Sequence, residues 1–243
     1  MHALCTLTFM VLLTLVTSTA QAEGLIHQLP KDGVWVRFDL EGKGTEPNGV
    51  AVTLSGTITI SSVGTTEVDG EQCRWIEIST EGKRDDQAFT DIVKLLIPES
   101  QLAEGKDPLK RVLKIWHKHS QIPGGAKQIE DLSGQNARYL QKFRPFLHGP
   151  FEKVQKLDKV PVDSKLGKVD CDGYSASEEV EMGTILMNSQ YTIRLHKSAP
   201  FGVVTWEAET EVSQEGQPLG TMITQLKLSD FGKDAKSAIP DTE

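Results

Sequence analysis

Two histidines two residues apart, His117 and His119, have the side chains best suited to chemistry, because imidazole serves as both zinc ligand and general base. The sequence around them reads as a helix, where positions i and i+2 point about 200° apart, so the pair cannot share one ion. No Cys or third His stands nearby. Asp170-Cys171-Asp172-Gly173 opens like a calcium loop, but it lacks the third acidic ligand before the Gly and the spaced Glu that closes such a loop. It reads as a tight turn ahead of a strand starting near Tyr174. Asp85 and Asp86, in the polar connection EGKRDDQ, read as solvated turn carboxylates. No Gly-x-Ser-x-Gly elbow, Lys-bearing phosphate loop or His-Glu-x-x-His is present. The expectation is a protein that is not an enzyme and uses no metal and no cofactor.

Cysteine usage and the N-terminus set the compartment. Residues 1–22, MHALCTLTFMVLLTLVTSTAQA, carry an apolar stretch from Ala3 to Val16 and end in Ala20-Gln21-Ala22. That is the pattern of a secretory signal peptide cleaved after Ala22, although no Lys or Arg precedes the apolar stretch. A retained membrane helix would need about 20 apolar residues, more than this stretch supplies. The expected product is exported, periplasmic or secreted, with two cysteines left, Cys73 and Cys171. An oxidising compartment permits a disulfide between them, but sequence cannot show whether their Cα atoms come within reach. The pairing stays open.

Most of the mature chain has a period of two. In APFGVVTWEAETEV, residues 199–212, Val204, Trp206, Ala208 and Val212 fall on one side and Thr205, Glu207, Glu209 and Glu211 on the other. Successive strand side chains point to opposite faces, so this is a strand with one dry face and one wet face. Val36, Phe38 and Leu40 repeat the pattern, as do Leu54, Ile58 and Ile60, and later Tyr191, Ile193 and Leu195. Asp69-Gly70 is a strong hairpin signal. Eight or so strands joined by turns read as an antiparallel meander.

A different composition interrupts the strands. In DPLKRVLKIWHKHS, Asp107 reads as an N-cap and Pro108 as the first helical residue, with Leu109, Val112, Leu113 and Trp116 at i, i+3, i+4 and i+7. A shorter helix is expected in NARYLQKFRPFLHGP. From Lys106 to Val160, Lys and Arg number 12 against 5 Asp and Glu, a net of +7 on a chain of −8, so the rest carries −15. A basic insert on an acidic body suits an anionic partner such as a phospholipid headgroup, or it is the solvated face of a packed helix. Nucleic acid does not fit an exported, acidic protein.

The order of leader, alternating strands, helical insert and further strands, with the turn HKSAPFGVV feeding a late strand, resembles the lipoprotein-carrier (LolA/LppX-like) half-barrel family of the bacterial envelope and its secreted relatives. That resemblance implies a curved antiparallel half-barrel whose concave face is covered by helices and takes acyl chains. The expected fold is therefore mainly β with a helical insert, an α+β protein. Residues 23–231 would form one domain with the insert at about 99–148, and 232–243 a disordered tail. The expected function is an exported, monomeric carrier of a lipid-like amphiphile, with Leu109, Val112, Leu113 and Trp116 as the stripe of a movable lid. The alternatives are a structural or protein-interaction domain without a small ligand and, third, a hydrolase whose site no motif marks.

Overall fold

The computed structural model describes residues 24–240, apart from 47, 104, 131–142, 148, 150 and 152. The leader and most of the second expected helix lie outside the described residues. Among the described residues, eleven strands form one sheet: β1 (Trp35–Thr45), β2 (Ala51–Val68), β3 (Glu71–Arg84), β4 (Gln87–Pro98), β5 (Lys114–His119), β6 (Lys127–Ile129), β7 (Lys153–Ser164), β8 (Gly167–Met182), β9 (Ile185–Leu195), β10 (Val203–Gln214) and β11 (Gln217–Gly232). Their order is β6-β5-β4-β3-β2-β1-β11-β10-β9-β8-β7. Two meanders, β1 to β6 and β7 to β11, are thus joined by pairing of the first strand with the last, and every neighbouring pair is antiparallel.

The hairpins follow from local residues. Asp69-Gly70 has φ of 52° and 78°, and Glu215-Gly216 has 51° and 78°, the pair of positive values that lets a two-residue turn match strand twist. Asp85 turns the chain between β3 and β4 with φ 54°, and its carboxylate accepts a hydrogen bond from the Thr53 amide at 2.9 Å. Asp170 to Gly173, expected as a turn, lies instead inside β8.

Laid flat, eleven strands would span roughly 50 Å, yet inward residues from Ile115 on β5 to Tyr174 on β8 join one apolar cluster, so the sheet curls around a single interior. The β7–β8 tip reaches back to β11, where the Lys165 amide donates to the Leu228 carbonyl at 3.3 Å. Glycine permits a close approach of neighbouring strands within the sheet. Gly56 faces Gly82 across β2 and β3, and a Cβ on Gly56 would come within 2.1 Å of the Glu81 carbonyl oxygen.

Strand faces agree with the sequence pattern: Val36, Phe38 and Leu40 are buried while Arg37, Asp39 and Glu41 are exposed, and Val204, Trp206 and Ala208 are buried opposite exposed Glu207 and Glu209. What fills the concave side differs from the expectation. The α+β fold with helices over that face gives way to a nearly all-β, barrel-like sheet. Among the described residues, the only α-helix is a single turn, Arg144–Leu147. The interior is plugged by chain segments, through Leu25 and Ile26 near the N-terminus and Phe143, Leu147 and Phe151 between the meanders. The Leu25 amide donates to the Phe146 carbonyl at 2.5 Å, which ties the two segments together. Phe201, in the Pro-Phe-Gly break, is fully buried, and its carbonyl accepts from the His27 amide at 3.0 Å.

The expected lid helix is corrected too. Asp107 does cap, accepting from the Leu109 amide at 3.0 Å, but what it caps is a 3₁₀ turn, Pro108–Arg111, and the chain then becomes strand β5. Residues 114–119 also fit a period of two, with Ile115 inward and Lys114, Trp116 and Lys118 outward. The free edge of β4 supplies the hydrogen-bond ladder that settles the choice.

Trp206 packs inside the curl, so Trp206→Ala should cost about 3–5 kcal/mol in a urea melt, whereas Glu207→Ala should stay within about 0.5 kcal/mol. Equal small losses would refute the facing of β10.

Candidate functional site

Where β8 and β9 pass the helical turn, a cleft of about 840 Å³ opens at the rim of the sheet. Lys110 from the 3₁₀ turn, Arg144 from the helical turn and Lys153 from β7 bring positive charge to it, and Asp107, Glu178 and Glu179 bring negative charge. Asn188 and Gln190 add amides, and Phe151 supplies an aromatic surface. The lining is mostly polar, unlike the apolar pocket that an acyl chain requires.

Glu178 ties this cleft to the core. It alternates with Ala176 and Tyr174 on β8, so the strand that carries apolar groups into the core presents a carboxylate one step further along. Arg144 donates to Glu178 Oε1 through Nε at 2.7 Å and lies 2.6 Å from it through a terminal nitrogen. The Tyr191 hydroxyl donates to Glu178 Oε2 at 3.4 Å. Beneath, Tyr191 stacks on Phe151 at 4.7 Å between centroids and meets Trp206 at 5.6 Å, and Trp206 meets Phe146 at 5.5 Å. A row of four rings therefore connects the cleft to the plug. Burial pushes the Tyr191 phenol up to about 12, with the neighbouring Glu178 charge acting in the same direction.

The residues singled out by sequence are scattered by the fold. Leu109 and Val112 pack against the core, Leu113 begins the β5 ladder by donating its amide to the Leu96 carbonyl at 2.8 Å, and Trp116 lies on the outer face opposite Lys94. They do not form one stripe. Cys73 and Cys171 are free, buried thiols on β3 and β8, six strand positions apart in the sheet, so the bridge left open by the sequence is not formed. Burial raises the pKa of both thiols. Because they sit on a strand, His117 and His119 share a face with rings 6.2 Å apart, and His117 Nε2 lies 2.6 Å from Asp91 Oδ1. Among the described residues no group of three or more His, Cys, Asp or Glu is placed to hold a metal ion. Of the basic residues, Lys110, Arg144 and Lys153 meet at the cleft, whereas Arg111 pairs with Glu71 and Lys159 with Asp172 elsewhere. The cleft was missed because its residues come from five separate segments, none of which carries a local motif.

An eleven-stranded antiparallel sheet, curled around a plug of its own chain and notched by a polar cleft, defines a β-barrel-like protein. No family model and no curated protein sequence matches the chain, so the resemblance to lipoprotein carriers rests on strand pattern and one turn. Among solved structures, it is similar to a candidate lipoprotein from Parabacteroides distasonis at 8% identity and a TM-score of 0.30, over 88% of this chain and 100% of the other. It is also similar to a candidate exported protein with YmcC-like fold from Bacteroides fragilis at 7% identity and 0.29, over 87% and 100%. A third, a β-barrel-like protein of a domain of unknown function from Brucella abortus, matches at 8% and 0.26, over 86% and 99%. Likenesses this loose transfer neither detail nor function.

The Tyr191 environment gives a pH prediction. An unfolded tyrosine titrates near 10, so its folded value is raised and the neutral phenol is the form that the fold favours. The associated stability is whole below about pH 10 and drains as pH rises towards about 12, by up to roughly 2–3 kcal/mol. Urea melts across that window should show a smaller loss for Tyr191→Phe than for the parent. Equal losses would refute the assignment.

Proposed function

We propose that the protein is an exported, monomeric, non-enzymatic binding protein that takes a small amphipathic ligand at the rim cleft and not within the curl of the sheet. Cleavage of the leader after Ala22 would deliver it to the periplasm or the exterior. One observation carries the reading. The concave side is filled by the chain's own Leu25, Phe143, Leu147 and Phe151, whereas the cleft keeps open volume beside an aromatic ring and charges of both signs. Lys110, Arg144 and Lys153 balance Asp107, Glu178 and Glu179, so the site suits a zwitterionic or neutral polar head with a short apolar part against Phe151. The mostly polar lining of the cleft does not suit a long acyl chain.

The packed interior also favours a second reading, an interaction domain of the cell envelope with no small ligand. A saturable site separates the two. Dodecylphosphocholine, titrated below its micelle concentration, should bind with one midpoint and slow hydrogen exchange around Phe151 and Asn188–Gln190. Lys110→Glu, which reverses one of the charges lining the cleft, should weaken binding about tenfold, equivalent to about 1.4 kcal/mol. If no saturation occurs and native mass spectrometry finds no co-purified small molecule, the interaction-domain reading replaces the first.

A further inference from the structure

The outer face of the sheet carries a site on the side away from the plug. Cross-strand pairing places Trp35, Ser61, Glu77, Lys94 and Trp116 in one row across β1, β2, β3, β4 and β5. On an outer face these positions would ordinarily be wet, yet Glu77 is 5% exposed and Lys94 1%. An acid and an amine side by side are costly to take out of water unless other groups satisfy them. The chain after β11 supplies those groups. Residues 233–240, expected as a disordered tail, run across the row and are docked on it.

The docking has specific chemistry. Gly232 lies against the Trp35 ring, and at Asp234 the backbone takes a φ of 63°. The Ala235 amide then donates to the Gly33 carbonyl at 2.8 Å. Glu77 accepts from the Ala238 amide at 3.0 Å and the Ile239 amide at 3.4 Å, and the Ser237 hydroxyl donates to it at 2.6 Å. Lys94 donates to the Ile239 carbonyl at 3.0 Å while its ammonium lies 4.9 Å from the Trp75 ring centroid. The Ile239 side chain is 1% exposed. Carboxylate on the amides, ammonium on the carbonyl and a pocket for one aliphatic side chain together fix the position of an extended segment.

That segment is held by polar contacts more than by apolar burial. Of residues 233–240 only Ile239 is buried, and the stretch contributes no strand to the sheet. Segments with few apolar contacts open locally at low free energy, before the fold as a whole. We propose that the outer face of β2 to β5 is a peptide-binding groove for an extended Ser-small-aliphatic segment. Residues 235–239 are its resident ligand in cis, a strap that a segment supplied in trans can replace. The groove uses the face opposite the plug and is independent of the reading given to the rim cleft.

Two measurements test this. In the unmodified chain, native-state hydrogen exchange should show the Ala238 and Ile239 amides opening well before the central strands, whereas exchange only with global unfolding would make the strap inseparable from the fold and overturn the proposal. In full-length Ile239→Asp, the strap should be released with the far-ultraviolet circular dichroism unchanged. A synthetic peptide of residues 232–240 should then bind saturably and shift tryptophan fluorescence. The parent should bind that peptide at least tenfold more weakly, because its own strap competes. Adding Lys94→Met to Ile239→Asp should abolish peptide binding. A folded Ile239→Asp that ignores the peptide, or an Ile239→Asp that cannot fold, refutes the groove.

Discussion

The ladder between β1 and β11 holds the two halves of the molecule together. It runs from Trp35 opposite Gly232 to Thr45 opposite Thr221, and it joins a meander made by the first part of the chain to one made by the last. Without it there would be two smaller sheets, each with an uncovered apolar face. With it the inward residues of both meanders share one interior. Pairing strands separated by most of the sequence makes this the most non-local ladder of the sheet, closed at a loop-entropy cost that the local hairpins do not carry.

Two consequences follow from where that ladder sits. The N-terminal segment before β1 and the segment between the meanders both meet the concave side, where Leu25 hydrogen-bonds to Phe146 and the aromatic row from Phe151 to Phe146 is assembled. On the convex side β11 ends beside Trp35, so the chain leaves it already lying over the first strands and crosses Glu77 and Lys94. Both faces of β3 and β4 are therefore covered. This explains why β4 is buried from Ile92 to Pro98 without the alternation of a one-sided strand.

Glycine and charge mark close crossings. At Gly173 the Arg194 guanidinium lies so near the backbone that an added Cβ would come within 2.0 Å of a terminal nitrogen, and that nitrogen donates to the Asp158 carbonyl at 2.7 Å. Arg194 in this way braces β7 against β8 and β9 close to buried Cys171. The same economy of polar partners recurs at Glu178, where one carboxylate serves both an arginine and a tyrosine.

Periodicity and turn chemistry, which are local, were legible in the chain: the inward set on β1, β9 and β10 and the Asp69-Gly70 hairpin appear as read, and Asp107 caps, although it caps a 3₁₀ turn and not the expected helix. The segment from Leu109 to Trp116 was not decidable locally, because its apolar residues satisfy a helical period while Lys114 to His119 satisfy a strand period. A vacant edge on β4, made by residues before it in sequence, decided for the strand. The 232–240 segment has no pattern to read, since its order depends on a carboxylate and an amine more than 140 residues away. The cleft likewise exists only where five segments converge. Sequence by itself determined the facing of strands such as β1, β9 and β10, since side-chain alternation needs no partner. Tertiary structure alone decided what covers each face, because that depends on which distant segment arrives there.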